Sequence, residues 1–283
     1  MSLSFYIPLP EPPPRSLFED LELRDVRWVH PLEKDDRVLP PGNWHLYIGG
    51  FSTRGVEVCY EEGRLRARLL IGSAVADFKL ALAISRAAAR LGGARVEPED
   101  RDPCTADELG VRFNDCWIRR TAEWGAWTLR DLTLEQGTST LVCPIRDFTL
   151  GPRMLRQLDA GPSAGFPNRL LAAICRLQFV DPHRYIQAGQ LEARTRGGEI
   201  IQMTMWTPDQ GYLFPPLQHV CVLERDGRGI LIPSDVVPEL PKVRAQWVDE
   251  WRLLVEPVPK EVWPVLYAAA LCNQVDPTAA RAS

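Results

Sequence analysis

Between Gly55 and Ile71 apolar and polar side chains alternate on both sides of a Glu62-Gly63 pair, and few folds accommodate such a pattern. Val56, Val58 and Tyr60 alternate with Glu57, Cys59 and Glu61. Beyond the pair, Leu65, Ala67, Leu69 and Ile71 alternate with Arg64, Arg66 and Arg68. A period of two on both arms predicts a β-hairpin with one apolar and one polar face. With the turn at Glu62-Gly63, Glu61 faces Arg64 and Glu57 faces Arg68; on the other face Tyr60 meets Leu65, Val58 meets Ala67 and Val56 meets Leu69. A slip of one residue would carry the three arginines into the core, so the register is specified. Opposite charges contribute only about 0.2–1 kcal/mol per cross-strand pair, which leaves the stability to the apolar face. The facing glutamates make the arginines a solvated, self-neutralised surface and not a nucleic-acid site.

A helix is expected next, capped by Ser73 with Asp77 in its first turn, where the helix dipole favours an anion. Val75, Phe78, Leu82 and Ala89, with Ala81 and Ala88, form an apolar stripe at helical spacing. Gly92-Gly93 ends it, and Ala94 to Glu97 reads as a returning strand. This hairpin-helix-strand unit at 55–98 predicts an α+β fold of mainly antiparallel sheets with helices packed on one face. The 283 residues suit two α+β domains, 1–100 and 101–283, or one composite domain.

Flanking segments read less sharply. Strands are expected at Leu3–Leu9, Val26–Val29 and Trp44–Ile48, and a short helix at Ser16–Leu23. Thr105 and Glu108 form a capping box for a helix carrying Leu109, Phe113, Trp117 and Trp124 on one face; Gly125 is a candidate end for it, short of Trp127. Ser139–Pro144 reads as a strand, and helices are expected from Gly151-Pro152 and from Asn168. Further on, strands are expected at Glu199–Trp206 and Arg252–Val255, with a helix over Lys260–Cys272. Val220–Leu223 and Gly229–Ile232 form a second hairpin, apolar on both faces and so expected in the interior. The tail from Asp276 is expected to be loose.

Composition narrows the function classes. A net charge of −4 argues against general affinity for phosphate backbones. Arginine outnumbers the lysines Lys34, Lys79, Lys242 and Lys260, and with abundant alanine and proline this is the bias of a GC-rich bacterial genome. Seven cysteines, widely spaced and without a CxxC pair, predict reduced thiols and a cytoplasmic location. No signal-like N-terminus or membrane-length apolar run occurs, so no membrane association is expected.

Chemistry is sparse. Gly49 to Gly55 (GGFSTRG) follows a strand but leads into another strand, so as a phosphate cradle it lacks the helix N-terminus such sites use. Asp35-Asp36 is a candidate cation pair better read as a solvated loop. His219 and Cys221 share one face of a strand, as two zinc ligands would, but nothing supplies the other two. No metal and no cofactor are therefore expected. Cys143, His183 and Asp181 are the residue types of thiol catalysis, with nothing to bring them together. Among the paired carboxylates Glu99-Asp100, Asp107-Glu108 and Asp249-Glu250, all expected in solvent, Glu250 between Trp247 and Trp251 is a candidate acid or sugar-site residue.

Nine tryptophans with many arginines are the residue types that dominate protein–protein hot spots. Trp124, Trp127, Trp247 and Trp251 are the binding candidates. The expectation is a non-catalytic module that binds another protein, of adaptor or immunity type. The alternative is a small-molecule hydrolase using Cys143, His183 and Asp181 or the tryptophan-flanked Glu250.

Overall fold

The computed structural model describes every residue except 1, 31, 34–36, 195–197, 225–226 and 276–283. The expected Asp35-Asp36 loop and the tail from Asp276 lie outside the described residues. By contacts the chain divides into two units, Met1–Phe179 and Val180–Ser283. Residues 101–179, grouped with the C-terminal half on sequence alone, pack with the first unit.

In the first unit, β1 (Ser2–Pro8), β2 (Val26–Trp28), β3 (Asn43–Ile48), β4 (Val56–Glu61), β5 (Arg64–Leu70) and β6 (Glu97–Pro98) form one antiparallel sheet in the order β2-β3-β4-β5-β1-β6. A one-turn helix, α1 (Ser16–Glu19), lies between β1 and β2. The hairpin register follows the alternation: Glu57 pairs with Arg68, Val58 with Ala67, Tyr60 with Leu65 and Glu61 with Arg64. Glu62 and Gly63 both have positive φ, as a two-residue hairpin turn with matching twist demands. On the polar face Arg68 reaches Glu57 at 3.2 Å, whereas Arg64 turns away from Glu61 to Glu97 at 3.4 Å.

α2 (Val75–Gly92) covers the opposite face and ends at Gly93, whose φ of 58° is left-handed. Its Phe78, Ala81 and Ala88 join Phe5, Ile7, Leu46, Val58 and Leu69 in the core. Full burial of each large side chain there contributes about 1.5–3 kcal/mol. The returning strand is only the two residues of β6, and it pairs with β1.

The helix expected after Thr105 is two helices, α3 (Ala106–Arg112) and α4 (Asp115–Gln136). The Thr105–Glu108 capping box forms, but Asn114 restarts the chain by accepting from the Trp117 N–H at 3.0 Å. Gly125 does not end α4; it lies on the buried side with Ile118, Ala122, Ala126 and Leu129. β7 (Ser139–Leu141) and β8 (Phe148–Leu150) form a small hairpin. α5 (Pro152–Asp159) and α6 (Phe166–Gln178) complete the unit, α6 opening on Phe166-Pro167 ahead of Asn168.

Among the described residues, the second unit holds two four-stranded sheets. One contains β10 (Leu191–Arg194), β11 (Ile200–Trp206), β13 (His219–Leu223) and β14 (Gly229–Pro233), in that order. The other contains β9 (Tyr185–Gln187), β12 (Gly211–Phe214), β15 (Ala245–Trp247) and β16 (Leu253–Val255), ordered β15-β16-β12-β9. Pairing is antiparallel except for β11 with β13 and β9 with β12. α7 (Trp263–Leu271) contributes Trp263 and Leu266 to a core with Trp206, Phe214, Val220 and Ile232. The β13–β14 hairpin is not interior on both sides. Val220, Val222, Ile230 and Ile232 are buried, while His219, Cys221, Leu223 and Leu231 are half-buried on the other face. No helix among the described residues is long and apolar enough to cross a membrane.

Candidate functional site

Asp77, at the third position of α2, is completely buried. Its Oδ2 accepts from the backbone N–H of Thr53 (3.1 Å), Arg54 (3.2 Å) and Ala74 (2.8 Å), and its Oδ1 from Gly55 N–H at 3.1 Å. The GGFSTRG loop therefore does meet a helix N-terminus. The anion its N–H groups surround is the chain's own carboxylate, so the donors a phosphate would need are already taken. Asp77, and not Ser73, caps the helix. The Ser73 hydroxyl is buried and has no hydrogen-bond partner.

The same knot fixes the 71–74 turn. The Thr53 hydroxyl lies 2.7 Å from the Gly72 carbonyl, and the buried Arg54 guanidinium donates to the Ile71 carbonyl at 3.0 Å. Burial lowers the Arg54 pKa, opposed by the nearby Cys143, Asp77, Glu57 and Asp147. Arg54 remains a cation on the inner side of the turn.

On the other side of that turn is a small half-open cleft of about 60 Å³. The ends of β1 and β5 (Leu3, Leu69), the turn itself (Gly72, Ser73) and one face of α4 (Thr121, Trp124) line it. Gly125 packs against this turn: a Cβ there would make ordinary contact, 3.5 Å from the Gly72 nitrogen, so alanine would fit and only a longer side chain would press on the turn. The walls are mostly apolar. Ser73, 2% exposed, supplies a hydroxyl without a partner, and Trp124 at the rim is 52% exposed. The volume lies well below the ~300–1,000 Å³ range of small-molecule pockets, so the cleft has room for the tip of one apolar side chain and not for a drug-sized ligand.

The expected catalytic set is not gathered in either unit: Cys143 belongs to the first, Asp181 and His183 to the second. Cys143 is 8% exposed, and its thiol donates to the Leu141 carbonyl. Burial pushes its pKa up to about 12, with Arg54 opposing and Asp147 and Asp77 reinforcing, so the thiol is protonated at neutral pH. Asp181 accepts from the His183 backbone N–H, a local turn in an exposed segment. Asp249 and Glu250 depart from the expected solvent position, being 0% and 5% exposed. Asp249 accepts from the N–H groups of Trp251 and Arg252 and pairs with the Arg252 guanidinium. A carboxylate that binds the backbone two and three residues ahead and pairs with a guanidinium has its oxygens satisfied, which lets it be buried without an unpaired charge.

Of the binding candidates, Trp127 stacks on Phe166 at 5.0 Å, with the Arg130 guanidinium over both rings. Trp247 is half-buried in β15, while Trp251 is 48% exposed. Trp124 alone of these four lines the cleft. Among the described residues, no three His, Cys, Asp or Glu side chains gather to hold a metal. The cleft went unread in the sequence because its walls come from segments far apart; the one local signal was Gly125 inside an otherwise helical run. No family model, curated protein or solved structure matches this chain.

Proposed function

We propose that this chain is a non-catalytic binding module, of adaptor or immunity type, that takes an apolar side chain of a protein partner into the Ser73–Trp124 cleft. The observation that carries the reading is a half-exposed tryptophan at the rim of an apolar cleft with an unpartnered hydroxyl in its wall. Arg119 and Arg120 are exposed on the same helix, giving the tryptophan–arginine mixture typical of binding hot spots. Widely spaced free thiols support work in a reducing bacterial cytoplasm. The protonated Cys143 thiol counts against the hydrolase alternative.

The test is capture from host lysate with the tagged full chain, run beside Trp124→Ala and Thr121→Leu. The first removes the rim and the second fills the cleft from α4. A protein held by the native chain and lost by both variants is expected, and the purified pair should bind more than about 30-fold more weakly with either variant. Partners retained equally by all three chains would overturn the proposal, as would a small molecule released from the native chain alone.

A further inference from the structure

The His219–Cys221 pair, two ligands short on sequence alone, acquires neighbours in the second unit. β13 runs parallel to β11, with Met203 paired to His219 and Met205 to Cys221. The alternate residues Thr204, Trp206, Val220 and Val222 are buried in the core, so Met203, Met205, His219 and Cys221 share the opposite face. Adjacent strands lie about 4.8 Å apart and alternate residues about 6.6 Å apart, so the four side chains rise from the corners of one small rectangle.

Two further observations bear on this face. Nδ1 of His219 is buried and has no hydrogen-bond partner. Leu223, Leu231 and Pro233 border the face, half-buried and apolar. No carboxylate is among the four, so the donors are two thioethers, a thiol and an imidazole.

From this juxtaposition we infer that the β11–β13 face is a binding site for a soft monovalent metal ion, copper(I). Thioether and thiolate sulfur select soft ions, whereas zinc favours tetrahedral sets of cysteine, histidine and carboxylate, of which this face offers two members. The Cys221 sulfur leans over Gly229, where a Cβ would meet it at 2.6 Å. Binding therefore requires the Cys221 side chain to leave this rotamer for one that faces β11, and the thiol to release its proton to solvent. The site is independent of the cleft on the first unit.

The test is anaerobic transfer of copper(I) from its bicinchoninate complex to the full chain. The starting protein carries Cys116→Ser and Cys272→Ser, because those exposed thiols bind copper on their own. One copper(I) per chain is expected. Met203→Leu with Met205→Leu, His219→Ala, and Cys221→Ser should each weaken it by more than about tenfold, the lower end of what losing even an outer-shell partner costs. The leucine variants keep volume and apolar character, so unchanged circular dichroism and thermal midpoint will separate ligand loss from unfolding. Absence of transfer, transfer that survives the leucine pair and His219→Ala, or displacement by equimolar zinc would each overturn the assignment.

Discussion

The backbone N–H of Thr53 meets Oδ2 of Asp77 at 3.1 Å, with both residues completely buried and 24 positions apart in the chain. The Thr53 hydroxyl lies 2.8 Å from the same oxygen and shares its single proton with the Gly72 carbonyl. One carboxylate thus joins the β3–β4 loop to the first turn of α2. Asp77→Asn keeps the shape but offers an NH₂ to groups that are themselves donors. Leaving a buried donor unmatched costs about 1–3 kcal/mol, so Asp77→Asn should destabilise by about 3 kcal/mol. Urea unfolding will measure it, and a loss below about 1 kcal/mol would show that the knot is not what holds the turn.

Thiol reactivity should follow burial. Cys116 and Cys272 are exposed, while Cys59, Cys104 and Cys143 are buried. Burial raises the Cys59 pKa to about 11 and that of Cys143 to about 12. Iodoacetamide at pH 8 should alkylate Cys116 and Cys272 first and spare the three buried thiols, as read by peptide mass mapping. Rapid modification of Cys143 would restore the thiol-enzyme alternative. A raised folded pKa also stabilises only below the unfolded value, so the Cys143 contribution is complete below pH 9.0 and is lost as the pH climbs toward 12.

The hairpin was legible because its signal is local: sixteen residues carry their own alternation, turn and charge pairing, and Glu57 does face Arg68. The α2 stripe and the Gly93 stop were legible for the same reason. Ser73 misled because serine before a helix is an ordinary cap, and nothing nearby shows that Asp77 takes the role while also binding a loop over twenty residues upstream. Spacings of four, four and seven put Trp124 with Leu109, Phe113 and Trp117 only when counted through a break. Asn114 restarts the helix, small residues take the buried side of α4, and the tryptophan turns outward. The cleft is a product of long-range packing and leaves no periodic trace; of the β11–β13 face the alternation shows His219 with Cys221, but not the parallel pairing that sets Met203 and Met205 beside them.

Gly55 and Gly63 are both left-handed, with φ of 66° and 73°, but their surroundings differ. A Cβ on Gly55 would lie 2.4 Å from the Leu46 carbonyl oxygen, whereas one on Gly63 would lie 3.6 Å from that of Leu9. Gly63→Ala therefore bears only the conformational cost, about 1–2 kcal/mol. Gly55→Ala adds a backbone collision beside the Asp77 knot and should cost about 2 kcal/mol more, within the range of severe single substitutions. Equal thermal midpoints for the two variants would contradict this close approach.

His45 gives the fold an acid limit. Its imidazole stands opposite Glu57 across the β3–β4 pair, and its Nε2 is buried without a partner. Burial lowers its pKa below the ordinary 6.5, against the opposing pull of Glu57. The unfolded chain then binds the proton more readily than the folded one, so stability is complete above pH 6.5 and falls as the pH drops through that value. The slope is at most about 1.4 kcal/mol per pH unit for one group. His219, lowered in the same direction, adds to it in the second unit. His45→Gln removes the titration and keeps a polar side chain. Urea unfolding between pH 5 and 7 should therefore show a shallower acid slope for His45→Gln than for the native chain, and identical slopes would place the acid sensitivity elsewhere.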